Sequence, residues 1–170
     1  GEDGKDAFFE GNNIPYLRTQ TGSNAVVRPM YFGTGSTNNA QVVIRLINEE
    51  GAVTSEKVID SLYDVDYCRI PTFKQTSDSG FIVYYYTTLN NRPKEYYLVK
   101  LDQNRSIQWS KSWKEDVYAF QSNCEAIELS DGSFAVVNNT IGSIANGQLR
   151  KFSAQGELLY HKQIVGKTMT

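Results

Sequence analysis

Few side chains in this sequence have the type and spacing to do chemistry. His161 is the sole histidine, beside Lys162. A Ser–His–Asp triad would have to use it, yet no G-x-S-x-G elbow is present, and neither Cys68 nor Cys124 lies near it. One histidine and two cysteines also fall short of a zinc donor set. No catalytic residue, metal ligand or cofactor is therefore assigned, and an enzyme is the less favoured class. The carboxylates offer more. Asp64-Val65-Asp66 puts two acids on alternate residues, which share a face if the segment is extended. Such a pair could hold a hard cation such as calcium, or serve as acid and base of a glycosidase. Glu115-Asp116 is a second acidic pair further along. Solvated connectors between strands are commonly acidic, so a plain surface role is the simpler reading of both.

Aromatic residues are the other suggestive set. Tyr84, Tyr85 and Tyr86 run consecutively, and Tyr96-Tyr97 follow beyond a turn at Asn90–Pro93. Neighbouring strand residues point to opposite faces, so one side of this hairpin presents at least two tyrosines. An open face would suit a partner protein or a sugar, because tyrosine joins apolar area to a polar tip. A face covered by another layer would be core. The candidate ligand-binding residues are thus Tyr84, Tyr86, Tyr96, Asp64 and Asp66.

The elements that must position these residues are repeats. Val42–Ile59, Leu98–Trp113 and Leu149–Ile164 say nearly the same thing, at steps of 54 and 51 residues. Val53, Ile107 and Leu158 align, as do Ser55, Trp109 and Tyr160, then Lys57, Lys111 and Lys162, then Ile59, Trp113 and Ile164. Each repeat holds four short segments rich in Val, Ile, Tyr, Phe and Thr, divided by Gly, Asn, Asp and Ser. In the middle repeat they are Thr72–Thr76, Phe81–Thr87, Tyr96–Leu101 and Ile107–Trp113. Asp-Gly and Asp-Ser-Gly mark tight turns that need positive φ. No window has a helical period.

The expected fold is all-β: three four-stranded antiparallel meander repeats, about 14–61, 68–114 and 124–165, in one domain over 14–170. A β-sandwich or irregular barrel is the alternative. The aligned residues are read as packing residues. Three blades are too few to close a propeller, so the chain either pairs with a copy of itself, is a fragment, or packs in some other way. Residues 1–13 form a leader or an extra strand.

The phrase Leu98-Val-Lys-Leu-Asp102 followed by Ile107-Gln-Trp109-Ser-Lys111 resembles the L-x-K-L-D-x-x-G-x-x-x-W-x-K repeat of bacterial secreted β-propellers. Arg105 stands where that phrase has glycine, whereas Gly51 and Gly156 keep it. The leader Gly1-Glu-Asp-Gly-Lys-Asp6 resembles the segment that follows the lipid-anchored cysteine in Bacteroidota surface lipoproteins. These resemblances imply propeller-like blades and an extracytoplasmic location: secreted, periplasmic or surface-tethered.

Charge narrows the partners. With 17 basic and 19 acidic side chains the net charge is −2, and the basic residues are scattered. Nucleic acid is not expected, because it needs a concentrated basic surface. No apolar run approaches bilayer length, so no membrane span is expected. The favoured function is a non-enzymatic binding or interaction module with a protein or carbohydrate partner and a possible homodimer. The alternatives are a carbohydrate-active hydrolase using Asp64, Asp66, Glu115 or Asp116, and a structural subunit of a surface assembly. Two separate thiols are the expected state of Cys68 and Cys124.

Overall fold

The computed structural model describes residues 16–19, 24–32, 38–90, 92–114, 120–141 and 146–165. The leader or extra strand expected over 1–13 and the acidic pair Glu115-Asp116 lie outside them. Twelve strands and no helix are found among the described residues. They are β1 (Tyr16–Arg18), β2 (Asn24–Phe32), β3 (Asn38–Ile47) and β4 (Val53–Val65), then β5 (Tyr67–Gln75), β6 (Phe81–Leu89), β7 (Arg92–Leu101) and β8 (Ile107–Trp113). The last four are β9 (Phe120–Glu128), β10 (Phe134–Ile141), β11 (Asn146–Phe152) and β12 (Leu158–Val165). Each group of four is one antiparallel sheet in sequence order, and no sheet closes into a barrel.

One turn design recurs. Five hairpins each close over five residues: Asn48–Ala52, Thr76–Gly80, Asp102–Ser106, Leu129–Ser133 and Ser153–Glu157. In every case the fourth residue's N–H donates to the first carbonyl, and the first N–H donates to the fifth carbonyl. The fourth residue has positive φ: Gly51, Ser79, Arg105, Gly132 and Gly156. A turn followed by one left-handed residue matches the right-handed twist of the strands it joins. Side chains reinforce it. Asn48 Oδ1, Asp102 Oδ1 and Ser153 Oγ accept from the N–H four residues on, at 2.8, 2.7 and 3.0 Å. Asp78 and Asp131 each pair with a lysine two strands later, Lys100 and Lys151, at 2.9 Å. Partial burial works against the Asp78 charge, but hydrogen bonds from Thr76, Lys100 and Gly80 outweigh it and hold the carboxyl at about 2.

The sheets stack in chain order, so the middle one is covered on both faces. Val27, Ile44, Ile59 and Leu62 of the first sheet pack on Phe73, Val83, Tyr85 and Leu101 of the middle sheet. Ile82, Tyr84, Tyr96 and Leu98, on its other face, pack on Ala126, Phe134, Val136 and Phe152 of the last. That double cover explains the unbroken apolar run Phe81–Tyr86: every residue from Phe81 to Thr87 is buried. The first strands of consecutive sheets approach one another, β1 with β5 and β5 with β9. Blades of a propeller splay from converging inner strands in the same way.

Consecutive repeats are also latched at the aligned positions. Trp109 lies against the backbone of Gly156, its Nε1 donating to the Ala154 carbonyl at 2.9 Å. A Cβ at Gly156 would sit 2.7 Å from the indole ring. Between the first two repeats the sizes are reversed, and Arg105 Nη1 donates to Ser55 Oγ at 2.8 Å. A comparison of two glycines measures the latch. Gly51 and Gly156 have φ of 84° and 82°, but a Cβ at Gly51 meets nothing within 4 Å. Gly51→Ala is expected to cost about 1–2 kcal/mol of backbone strain. Displacing Trp109 should make Gly156→Ala worse by a further 1–3 kcal/mol or so, read from urea denaturation midpoints.

Candidate functional site

The tyrosine hairpin is interior. Tyr84 and Tyr96 are fully buried and Tyr86 nearly so, because the last sheet covers the face they share. This removes them as an open ligand surface, and of the two readings of that hairpin the covered one holds. Tyr84 stacks on Trp113 at 6.1 Å between centroids, Tyr96 on Trp113 at 5.9 Å, and Tyr85 on Tyr97, on the opposite face, at 4.8 Å. The phenol groups find partners across the sheet interfaces. Tyr85 Oη donates to Asp60 Oδ2 at 2.6 Å, and Tyr84 Oη donates to Asn138 Oδ1. Burial, with the Asp60 charge and hydrogen bond adding to it, pushes the Tyr85 phenol far above its ordinary range, so it stays a neutral donor.

The topology sorts the connections onto two rims. The five-residue turns share one. At the other lie the ends of β2, β4 and β6 and the starts of β3, β5 and β7, which brings Asp64 and Asp66 to an outward position between the first two sheets. Asp64 is exposed with φ 52°, so the segment is not extended there and the strand-parity argument for a shared face does not apply. The Asp66 N–H donates to the Thr88 carbonyl at 2.8 Å, tying the connector to β6. No group of three or more His, Cys, Asp or Glu side chains placed to hold a metal occurs among the described residues.

Two exposed tyrosines flank these acids. Tyr63 is 66% exposed and Tyr67 47% exposed, with buried Val65 anchoring the segment between them. Phe32, also exposed, ends β2 on the same rim. Tyr31, beside it in sequence, is held down: its hydroxyl accepts from Cys68 N at 2.8 Å and donates to the Cys68 carbonyl at 3.2 Å. Burial, partly offset by the Cys68 backbone, pushes the Tyr31 phenol up to about 12. The rim therefore presents two aromatic rings beside two carboxylates, a surface able to stack on an apolar face and accept hydrogen bonds. Sequence reasoning reached Asp64 and Asp66 but passed over Tyr63, which reads as one more strand aromatic, and Tyr67.

Cys68 and Cys124 are both free thiols, as the sequence suggested. They lie within β5 and β9. Burial, then the Asp60 charge, pushes the Cys68 thiol well up, which makes it unreactive.

No family model matches the chain, and no curated protein matches it. A protein of unknown function from Bacteroides caccae, solved by crystallography, superposes with a TM-score of 0.45 at 9% identity, over 85% of this chain and 55% of that one. The chain thus spans little more than half that protein's length, and similarity at this level carries nothing over to it. No helix among the described residues is long and apolar enough to cross a membrane.

Core and rim tyrosines should separate cleanly in a stability measurement. Tyr84→Ala is expected to lose about 3–5 kcal/mol in urea unfolding, the range for emptying a buried aromatic site. Tyr63→Ala is expected to stay within about 0.5 kcal/mol of the parent.

Proposed function

We propose that the chain is a non-enzymatic binding module of a secreted or cell-surface bacterial protein, with the connector rim between its first two sheets as the ligand face. The observation that carries this reading is the exposure of Tyr63 and Tyr67 beside Asp64 and Asp66, while the hairpin tyrosines are consumed by the core. A rigid aromatic surface on an anchored strand end binds with little ordering cost. A saccharide fits best: its C–H faces stack on tyrosine rings and its hydroxyls donate to carboxylates. The leader's resemblance to a lipoprotein tether supports an extracytoplasmic setting, and the unreactive Cys68 is compatible with it. Nothing in the geometry of Asp64 and Asp66 favours the hydrolase reading over this one.

A glycan array probed with the purified chain tests the proposal. Binding to at least one saccharide class is expected, and Tyr63→Ala with Tyr67→Ala should weaken it about tenfold or more in calorimetry. Saccharide binding that the double variant leaves unchanged would place the site elsewhere. An array with no signal would remove the carbohydrate reading.

A further inference from the structure

A cluster of rings and one cation surrounds Cys68 on β5, the edge strand of the middle sheet. The Cys68 side chain is buried between the first two sheets, so its neighbours Tyr67 and Arg69 point to the other face of the strand. Both are exposed. The register sets Tyr67 opposite Thr88 and Arg69 opposite Tyr86. Tyr31 joins them from the first sheet. Its hydroxyl bonds both the N–H and the carbonyl of Cys68, which seats a partly exposed ring against the same short stretch of β5. The Tyr31 phenol lies within electrostatic reach of Arg69 and of Tyr67, and the Tyr86 phenol within reach of Arg69.

The charge of Arg69 is not answered within this cluster. Elsewhere in the sheets Arg45 pairs with Glu56, Lys74 with Glu125, Lys100 with Asp78 and Lys151 with Asp131. Arg69 makes no ion pair and no side-chain hydrogen bond among the described residues, although Asp64 and Asp66 are close to it in sequence. A lysine left in water on an outer strand needs no explanation. A guanidinium with five open donors, set beside an exposed tyrosine on one strand face, is the complement of a planar anion attached to something that stacks.

We propose that this cluster sets the choice of saccharide: Arg69 holds the carboxylate of a uronic acid residue whose ring stacks on Tyr67. The inference rests on the saccharide reading of the rim and names the class of sugar. A guanidinium meets a carboxylate with two parallel N–H donors, which a point charge cannot do. An ion pair in open water adds little, so the ring contact matters: it fixes the sugar and shields one side of the pair. The acids set the direction. Asp64 and Asp66 precede Tyr67, and Arg69 lies about 7 Å beyond it, two strand residues on. A carboxylate is repelled at the first end and held at the second, while neutral sugar hydroxyls donate to the acids.

An array carrying uronic-acid oligosaccharides, each beside its carboxyl-reduced neutral form, tests this on the full chain. The bound glycans are expected among the acidic members, each about fivefold or more tighter than its reduced form. Arg69→Gln should bring the two forms to within about twofold of each other and leave affinity for the reduced form unchanged. Arg69→Lys should restore only part of the difference, because an ammonium lacks the fork. Arg69 is exposed, so both variants are expected to fold, which circular dichroism checks. Neutral glycans bound as tightly as acidic ones, or a preference that survives Arg69→Gln, overturn the uronate assignment and leave the saccharide reading standing. An array with no signal overturns both.

Discussion

Everything in this structure depends on the middle sheet being covered on both faces. A four-stranded meander standing alone would leave its apolar face to water, and that face must be buried against another layer. Stacking three in order buries four of the six faces in two shared interfaces, and only β5–β8 contributes to both. The sheet that carries this load has the densest aromatic content, with Tyr84 and Tyr96 against one neighbour and Tyr85 against the other. Stability in such arrays is approximately a sum over units and their contacts, so the outer sheets derive theirs largely from the middle one.

Burying so many polar-tipped side chains is tolerable because their tips are answered across the interfaces. The Tyr85 hydroxyl reaches Asp60, the Tyr84 hydroxyl reaches Asn138, and Thr72 Oγ1 accepts from Ala126 N at 2.9 Å. Lys100, almost wholly buried, places its ammonium on the Asp78 carboxylate and the Leu101 carbonyl. The Tyr85, Tyr84 and Thr72 bonds each require a partner at a defined place on the neighbouring sheet, so they fix the registry of one sheet on the next as apolar contact alone would not. Lys100 instead ties the middle sheet to its own turn. The apolar layers supply the driving force, and the polar ones specify the alignment.

Much of this was legible in the sequence, for identifiable reasons. A period near 50 residues with four apolar segments per period pointed to repeated four-stranded meanders, and of the aligned set, Ser55 and Trp109 proved to be the strand side of the inter-repeat latch. Arg105 looked like a departure from the repeat; it keeps the glycine's left-handed backbone and compensates through Ser55. What stayed illegible were facts about cover. Alternation cannot say whether a strand face meets water or another sheet, so Tyr84, Tyr86 and Tyr96 read equally well as surface or core. Pro71 hid the first part of β5: proline cannot donate to a ladder, and the pairing shifts register between Arg69 and Thr72, so a strand begun at Tyr67 reads as loop. The shared face argued for Asp64 and Asp66 required an extended segment, and nothing in the neighbouring sequence announces the positive φ at Asp64 that breaks it.

Native-state hydrogen exchange, followed strand by strand, tests most directly whether the middle sheet holds the rest together. Amides of β6 and β7 should exchange slowest, at rates set by global unfolding, while those of β12 and β1 open through smaller local fluctuations. Protection in β12 equal to or greater than that in β6, or a middle sheet that opens while the outer two stay closed, would contradict the account.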